Sequence, residues 1–414
     1  MDIKKLVEEE APQLIQWRRH FHEYPEGSQH EFKTMEYIEG YLKEWNIPFV
    51  KVPHGGILGT IDSGKPGFTV LMRADMDALP IEEDPINLKK HKIVVSKNKG
   101  FSHACGHDGH MSMLLTEAKI LAAHKDEWEG KVIVMFEEAE EFGERGVGHL
   151  LAYLRDNQIH VDACYGTHVR WDVPAGKMGI LDGGVMAGAF FFRVKLHGKG
   201  GHGSRPDLSL NPVDAFLAIA GDLQSFRVRS VAPDHCLTYS FGCVQAGHEP
   251  NVIPEELMFA GSCRFFTEED GQKFRTLFHQ VVESESANFG CRAEIVEDQY
   301  FTVTTNDPTC AALARKAVEK EVGPDVLTEP ERWMASETFA VTLAEYPGIL
   351  AFTGIKDDEV GSGANHHTAK FDIGEKGLIT GAESALAYVL ALLKEKPDLS
   401  HFKPADLDKM IAIM

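Results

Sequence analysis

Apolar side chains near the start of the chain recur every three or four residues, as they do along one face of an α-helix. The pattern covers residues 3 to 46 and includes Leu6, Leu14, Trp17, Ile38 and Leu42. A Tyr-Pro-Glu-Gly stretch at residues 24 to 27 interrupts this pattern, and proline followed closely by glycine favours a turn. The segment is therefore predicted to form two helices.

Short apolar runs alternate with helical patterns over the next hundred residues. Residues 68 to 72 and 131 to 136 have the length and composition of buried strands, and residues 111 to 123 between them have helical spacing. Strands that alternate with helices predict an α/β core with a largely parallel sheet. Ligands bind beyond the carboxyl ends of the strands in such sheets. The polar residues expected at those ends are Asp77, Glu140 and His168.

The pattern changes near residue 184, where strands begin to outnumber helices. The predicted strands lie near residues 190–196, 236–244, 256–266 and 291–298, with helices near 211–226 and 270–288. The order strand, helix, strand, strand, helix, strand predicts a small α+β domain with an antiparallel sheet and two helices. We expect residues 1–183 and 301–414 to form the catalytic domain, into which residues 184–300 are inserted.

Charge and composition narrow the possible partners. The 414 residues include 63 acidic and 42 basic side chains, a net charge of −21, whereas nucleic acid or an anionic membrane would require a basic face. No apolar run approaches the roughly 20 residues of a membrane span, and no signal-peptide core is expected at the start. The seven cysteines, an odd number scattered along the chain, are expected to be reduced thiols. These features predict a cytoplasmic protein, whereas the overall charge says little about a small-molecule substrate.

The segment from His103 to Asp108, His-Ala-Cys-Gly-His-Asp, carries the most informative chemistry. It puts the Cys105 thiol and the His107 imidazole two residues apart in a predicted loop, where they could both bind a transition metal ion. Two alternatives remain open for Cys105. It is either a buried structural thiol or a nucleophile with His107 or His103 as its base.

Further potential metal ligands follow along the chain. An acidic cluster at residues 137 to 141 comes directly after a predicted strand, His168 lies near the end of another, and His366 and His367 are adjacent near the end of the chain. Thiolate, imidazole and carboxylate groups near strand ends and turns predict a buried catalytic metal centre. The alternative for residues 137 to 144 is a solvated acidic loop. Adjacent Glu140 and Glu141 can reach one cleft only if the backbone turns sharply at the strand end.

The ordered set of motifs resembles the dinuclear-metal aminoacylase and carboxypeptidase superfamily. Within it, the chain is most similar to the amidohydrolase branch of hippurate hydrolases, plant indole-acetyl-amino-acid hydrolases and aminobenzoyl-glutamate hydrolases. The motifs are Arg-Arg-His-Phe-His-Glu-Tyr-Pro-Glu at residues 18–26, Arg-Ala-Asp-Met-Asp-Ala-Leu-Pro at 73–80, His-Ala-Cys-Gly-His-Asp at 103–108, Glu-Glu at 140–141, Gly-Gly-His at 200–202, Asn-Val-Ile-Pro at 251–254, and His367 with Phe-Asp-Ile at 371–373.

The resemblance implies a site for two divalent metal ions, which could be zinc, manganese or cobalt. The implied ligands are Cys105, His107, Glu141, His168 and one late histidine, for which the family spacing favours His367 over His366. Glu140 is implied as the general base. Asp77 is expected to orient a ligand histidine from behind, with ordinary strand-end capping as the alternative. His22, His103 and His110 are expected to pack and hydrogen-bond around the site.

The resemblance also implies roles for the inserted domain, as a lid and as a dimerisation domain. His202 would stabilise the oxyanion, in many relatives within the site of the partner subunit, and its alternative is an ordinary surface histidine. Asn251 and Arg264 would hold the carboxylate of the substrate, although Arg264 could instead be a structural, salt-bridged residue. We therefore expect a homodimer or a higher homo-oligomer.

The predicted activity is hydrolysis of an N-acyl amino acid to a carboxylate and a free amino acid. Its rivals are a metallo-dipeptidase or carboxypeptidase of the same superfamily, thiol-based catalysis, and a binding protein that has lost turnover. Three departures from the family pattern lie near the site. Asn-His-His-Thr-Ala-Lys at residues 365–370 lacks a proline that is often found there, which leaves the choice between His366 and His367 open. Glu137 and Glu138 stand where Gln-Pro is usual, and Phe-Gly-Glu-Arg-Gly at residues 142–146 replaces a run of glycines that follows the paired glutamates.

Overall fold

The computed structural model describes residues 1–143 and 145–413, with ten α-helices and sixteen strands in this part of the chain. The helices are α1 (Ile3–Glu23), α2 (Phe32–Glu44), α3 (His107–Ala123), α4 (Gly146–Asp156), α5 (Pro212–Ser230), α6 (Glu268–Asn288), α7 (Pro308–Glu321), α8 (Phe339–Glu345), α9 (Lys376–Glu395) and α10 (Leu407–Ile413). The strands are β1 (Phe49–Val52), β2 (Gly56–Asp62), β3 (Thr69–Asp75), β4 (Lys131–Glu137), β5 (Ala163–Pro174), β6 (Met178–Gly179), β7 (Gly183–Met186), β8 (Gly188–His197), β9 (Gly201–His202), β10 (Leu237–Ala246), β11 (Val252–Ile253), β12 (Glu256–Phe265), β13 (Arg292–Phe301), β14 (Thr304–Asn306), β15 (Leu327–Thr328) and β16 (Gly348–Lys356).

The chain divides into two compact units. The first, here called the core unit, contains Met1–Gly183, Thr305–Glu331 and Val341–Asp406. The second, here called the inserted unit, contains Gly184–Thr304, and it also takes in Arg332–Ala340 and helix α10. These last two segments had been assigned to the catalytic domain from the sequence. Their assignment differs because packing, which the order along the chain does not reveal, decides which unit a late segment joins.

The core unit is built on an eight-stranded sheet with the order β1-β2-β4-β3-β5-β16-β6-β15. The four central strands β4, β3, β5 and β16 are parallel to one another. They are apolar along most of their length, and the seven residues of β3 are buried except at its first position, as expected of a sheet covered on both faces. The carboxyl ends of these strands lie at one edge of the sheet.

Helices α1, α3 and α9 pack on one another in the core unit. Fourteen residues of α3 are buried, so α3 has apolar contacts nearly all the way round rather than along a single stripe. Helix α9 is long and apolar enough to cross a membrane by length and composition alone, but 67% of its apolar window is buried in the protein, as in a core helix.

The inserted unit has a four-stranded antiparallel sheet with the order β10-β12-β8-β13. Helices α5 and α6 pack against it, and the interface is rich in phenylalanine. The ring of Phe278 on α6, for example, lies 4.5 Å from Phe192 and 5.3 Å from Phe190, both on β8. The predicted fold class is therefore confirmed: a largely parallel α/β core together with a smaller α+β domain.

Candidate metal centre

Three neighbouring strands bring polar residues to the same level of the core sheet. Asp75 at the end of β3 pairs with Glu137 at the end of β4. On the other side of β3, Arg73 pairs with Gly166 of β5, so His168, two residues further along β5, lies level with Asp75. This register places carboxylates and an imidazole together because parallel strands end at one edge.

The Cys105–His107 segment enters this edge through a turn that depends on Gly106. Gly106 has φ of +93° and directly precedes α3, a left-handed conformation that costs little only for glycine. A Cβ atom there would overlap with Cγ2 of Val169, the residue after His168. Helix α3 therefore begins at His107, four residues before its predicted start, and His107 belongs to a helical turn rather than to the expected loop.

Within this region the candidate donor atoms lie close together. Cys105 Sγ is 3.5 Å from His168 Nε2, and Glu141 Oε1 is 3.2 Å from His367 Nε2 and 3.9 Å from His107 Nε2. Among the described residues, four groups have their potential ligand atoms within 4.8 Å of one another. They are Cys105–His107–His168, Cys105–Glu141–His367, His107–Glu140–Glu141 and Asp75–His107–His110.

Hydrogen bonds fix the tautomers of two of these histidines. His168 Nδ1 lies 2.7 Å from the carbonyl oxygen of Val169, which can only accept, so Nε2 carries the lone pair that faces Cys105. His107 Nδ1 lies 3.2 Å from Asp77 Oδ1. The buried Nε2 of His107 has no hydrogen-bond partner among the described residues. A buried imidazole nitrogen without a hydrogen-bond partner, in a cluster of thiol and carboxylate groups, suits a metal ion.

His110 has a different role from His107, although both lie in donor groups. Its Nδ1 is 2.6 Å from Asp75 Oδ1, and its Nε2 accepts the backbone N–H of Val169 at 2.9 Å. Both ring nitrogens are thus engaged within the protein. His110 ties α3 to β5, and Asp75 is itself held by Arg73 at 2.7 Å.

The chain turns sharply between the end of β4 and the paired glutamates. Ala139 has φ of +56°, a conformation uncommon for a residue with a Cβ atom and frequent at functional sites. Two residues later, the N–H of Glu141 donates to Asp77 Oδ2 at 2.9 Å. Glu140 and Asp77 are buried, so this part of the acidic cluster is not a solvated loop. Glu144, within the segment that replaces the glycine run, lies outside the described residues.

Burial and the nearby carboxylates shift the pKa values of Cys105 and His107, and these shifts bear on the role of each residue. Burial, and next the Glu141 carboxylate, raise the pKa of the Cys105 thiol, which disfavours an unaided nucleophilic cysteine because such residues need a lowered pKa. Burial lowers the pKa of His107, but Asp75 and Asp77 outweigh it and hold that pKa well above its usual value. This concentration of carboxylates around the histidines favours bound cations.

The two late histidines occupy different surroundings. His367 has φ of +59° and donates its backbone N–H to Ala104 at 2.9 Å, and its ring joins a donor group with Cys105 and Glu141. His366 is buried, with its ring 5.2 Å from that of His168 and 4.8 Å from that of Phe371. His366 belongs to none of the donor groups found among the described residues.

Behind the centre lies a buried polar network. Asp108, next to His107, accepts hydrogen bonds from Arg18 at 2.9 Å and from His22 at 2.8 Å, and Arg18 also lies 3.5 Å from Asp372. His103, expected to hydrogen-bond here, is buried, but neither of its ring nitrogens has a hydrogen-bond partner in the described part of the chain.

In the inserted unit, the structure places His202 next to Asn251. Strands β9 and β11 pair Val252 with His202, and the N–H of Gly203 donates to the carbonyl of Asn251 at 2.8 Å. Nδ1 of the exposed His202 accepts the backbone N–H of Ser204 at 3.1 Å, which leaves the proton on Nε2. His202 can therefore act as a hydrogen-bond donor through Nε2.

Arg264 lies far from these two residues in the same unit. Strand β12 starts at Glu256, near Asn251, and Arg264 is eight residues further along it, or about 26 Å at ~3.3 Å per residue. There Arg264 donates to Ser336 Oγ at 3.0 Å and stacks 4.9 Å from the Phe191 ring. Within one copy of the unit, the length of β12 therefore separates Arg264 from the strand start that lies near Asn251.

Comparisons with known proteins agree on the family. The model of Peptidase family M20/M25/M40 matches residues 71–391. The chain is 33% identical to thermostable carboxypeptidase 1 of Saccharolobus solfataricus, over 95% of this chain and 98% of that protein. It is also 33% identical to the N-acetyl-L-cysteine deacetylase of Bacillus subtilis, over 91% and 89% of the two chains. The crystal structure of the Bacillus subtilis YXEP protein, described as a dinuclear metal binding peptidase from the M20 family, aligns with a TM-score of 0.78 at 28% identity and covers 94% of this chain and 99% of that one.

Proposed function

The chain belongs to peptidase family M20/M25/M40 and is a hydrolase of amide bonds, and we propose that it is a metal-dependent amidohydrolase whose substrate is an N-acyl amino acid. The products would be a carboxylic acid and a free amino acid. The observation that carries the proposal is the cluster of thiol, imidazole and carboxylate groups around His107, in which the donor atoms of each group lie within 4.8 Å of one another. The adjacent Glu140 and Glu141 form one of these groups with His107.

We propose Cys105, His107, Glu141, His168 and His367 as the residues that hold two divalent cations. The mixture of one sulfur, three imidazoles and a carboxylate suits zinc, manganese or cobalt. Asp77 behind His107, and the carbonyl of Val169 behind His168, hold two of these rings in the tautomer that presents Nε2. Such outer partners orient ligands and raise their basicity.

When bound, the cations would lower the pKa of water toward ~7 and polarise the carbonyl of the substrate. Glu140 would take a proton from the attacking water and deliver it to the nitrogen of the leaving amino acid. The positive φ of Ala139 supports this division of labour, because a sharp turn before Glu140 lets two adjacent glutamates serve one site.

We further propose that the protein works as a cytoplasmic homodimer. His202, with its proton on Nε2, would donate to the oxyanion, and Asn251 and Arg264 would bind the carboxylate of the substrate. The span of about 26 Å along β12 from Glu256, near Asn251, to Arg264 supports a site to which two copies contribute, with the inserted unit acting as lid and dimerisation domain. All seven cysteines are free thiols, which supports a reducing compartment.

A second candidate function is a metallo-dipeptidase or carboxypeptidase. It is favoured by the identity with the thermostable carboxypeptidase, and it differs in the group on the acyl side of the cleaved bond. A dipeptidase requires a free α-amine there, whereas an amidohydrolase accepts an acyl group without one.

Release of primary amine from matched N-acyl amino acids and dipeptides tests both candidates. Reactions would contain added manganese or zinc, or a chelator. Glu140→Gln is the test variant, and Glu138→Gln, a change at a buried neighbour outside the donor groups, is the matched control. Metal-dependent cleavage of N-acyl amino acids, reduced at least about 100-fold in Glu140→Gln alone, is expected. Cleavage restricted to dipeptides would favour the second candidate. If a chelator leaves the release of primary amine unchanged, the metal-dependent mechanism is wrong.

A further inference from the structure

Two carboxyl groups from different parts of the chain hold the turn that carries Glu140 and Glu141. Asp77 accepts the N–H of Glu141 at 2.9 Å. On the other side of the turn, Glu31 Oε1 accepts the N–H of Ala139 at 2.7 Å. Ala139 is the residue with positive φ, so Glu31 binds the turn at the point where the backbone is least favourable.

The side chain of Glu31 would ordinarily have another task. Glu31 occupies the N-cap position of α2, yet its side chain makes no capping hydrogen bond. Glu26 replaces it, since Glu26 Oε2 accepts both the backbone N–H and the hydroxyl of Thr34, at 2.9 and 3.0 Å. Capping by Glu26 leaves the Glu31 side chain available to reach Ala139, 108 residues further along the chain.

The surroundings of Glu31 favour a neutral acid. Its side chain is fully buried, and Oε2 has no hydrogen-bond partner among the described residues. Burial, followed by the nearby Asp77 carboxylate, raises the pKa of Glu31 to about 8. A glutamine, which has the same shape as the neutral acid, can therefore replace it and still accept the N–H of Ala139.

We propose that Glu31 is a positioning residue that sets the Ala139 turn and, through it, the placement of Glu140 and Glu141. Glu31 belongs to none of the donor groups found among the described residues. The part of the inference that concerns turnover rests on the proposed function, in which Glu140 is the base and Glu141 a ligand. The part that concerns the turn rests only on the hydrogen bonds above.

The test compares three variants of the full-length protein. Glu31→Gln keeps the acceptor, Glu31→Leu removes it with a similar volume, and Glu117→Leu is the matched control. Glu117 is an equally buried glutamate of the core unit, on α3. Two readouts are needed: kcat and KM for the best substrate, and the affinity for Co²⁺ alone, followed by its absorption spectrum in metal-free protein.

Glu31→Leu is expected to lower kcat and the Co²⁺ affinity by about 10- to 100-fold, the range for outer partners of a metal site. kcat and kcat/KM should fall together, because the displaced base acts only in the transition state. Glu31→Gln should stay close to the wild type in both readouts, and so should Glu117→Leu. Loss of packing alone would affect both leucine variants and would not be rescued by glutamine.

Wild-type kcat and Co²⁺ affinity in Glu31→Leu would overturn the proposal. An equal loss in Glu31→Gln and Glu31→Leu would overturn the acceptor role, because the amide retains that acceptor. If the wild type hydrolyses no substrate in the panel, the proposed function fails, and the Co²⁺ titration still decides whether Glu31 positions the turn.

Discussion

Gly106→Ala should damage the candidate metal centre through a single added methyl group. The methyl would overlap with Cγ2 of Val169, and these two residues directly adjoin Cys105, His107 and His168. Relief of the overlap must separate the Gly106 segment from strand β5, and with it the Cys105 Sγ and His168 Nε2 atoms that now lie 3.5 Å apart. We therefore expect weaker metal binding and slower hydrolysis in this variant.

The size of the effect follows from two contributions to the free energy of unfolding. The left-handed φ of +93° costs a residue with Cβ about 1–2 kcal/mol, and overpacking in a rigid core costs about 1–3 kcal/mol more. The variant should lose about 2–5 kcal/mol. Gly64→Ala is the matched control, since Gly64 also has a positive φ, +75°, but has open space at its Cβ position. Gly64→Ala should lose only about 1–2 kcal/mol of unfolding free energy, which is the cost of the left-handed φ.

A double-mutant cycle with Val169→Ala isolates the overlap. Both glycine variants, the valine variant and the double variant would be unfolded in urea as metal-free proteins, and hydrolysis measured after metal addition. Val169→Ala should cost about 2 kcal/mol alone, and in the double variant it should restore about 1–3 kcal/mol relative to additivity. Equal losses for Gly106→Ala and Gly64→Ala, or strict additivity in the cycle, would refute the reasoning.

Three further predictions concern stability. Arg18→Met should cost about 3–5 kcal/mol in urea unfolding, because it leaves Asp108 and Asp372 as buried carboxylates without their shared guanidinium; a loss below about 1 kcal/mol would contradict this. Burial raises the pKa of Glu117 well above 4.5, so the folded protein keeps a proton that the unfolded chain releases, and stability falls as pH rises above 4.5. Glu117→Gln should accordingly raise the Tm more at pH 8 than at pH 5, and a gain independent of pH would count against it. Phe278→Ala should destabilise the inserted unit by about 3–5 kcal/mol, measured by hydrogen exchange in α6, with no comparable loss of protection in α3.

Element positions were predictable wherever one face of the element is buried. The helix predicted at 211–226 is Pro212–Ser230, and the strand predicted at 256–266 is Glu256–Phe265. The start of α3 was missed by four residues because residues 107 to 110 are histidines, aspartate and glycine, which give no apolar spacing. Helix α3 begins directly after Gly106, whose left-handed backbone precedes the first turn. A single glycine conformation leaves no periodic pattern of apolar residues from which this start could be predicted.

The site was predictable only where chemistry lies within a short motif. Cys105 and His107 are two residues apart, and Glu140 and Glu141 are adjacent, so their residue types reveal them. Glu31 has no such signal, because its partner is 108 residues away. The distance of Arg264 from the start of β12, by contrast, follows from the length of that strand, which the sequence did predict.

The central claim is that the donor cluster around His107 is a two-metal hydrolytic centre with Glu140 as its base. The most direct test titrates metal-free protein with Mn²⁺ or Zn²⁺ and records bound metal and amide hydrolysis in the same samples. Activity should reach its plateau at two cations per chain, and Glu140→Gln should bind the same two cations while hydrolysing at least about 100-fold more slowly. Full activity in the metal-free protein, or wild-type activity in metal-loaded Glu140→Gln, would contradict the claim.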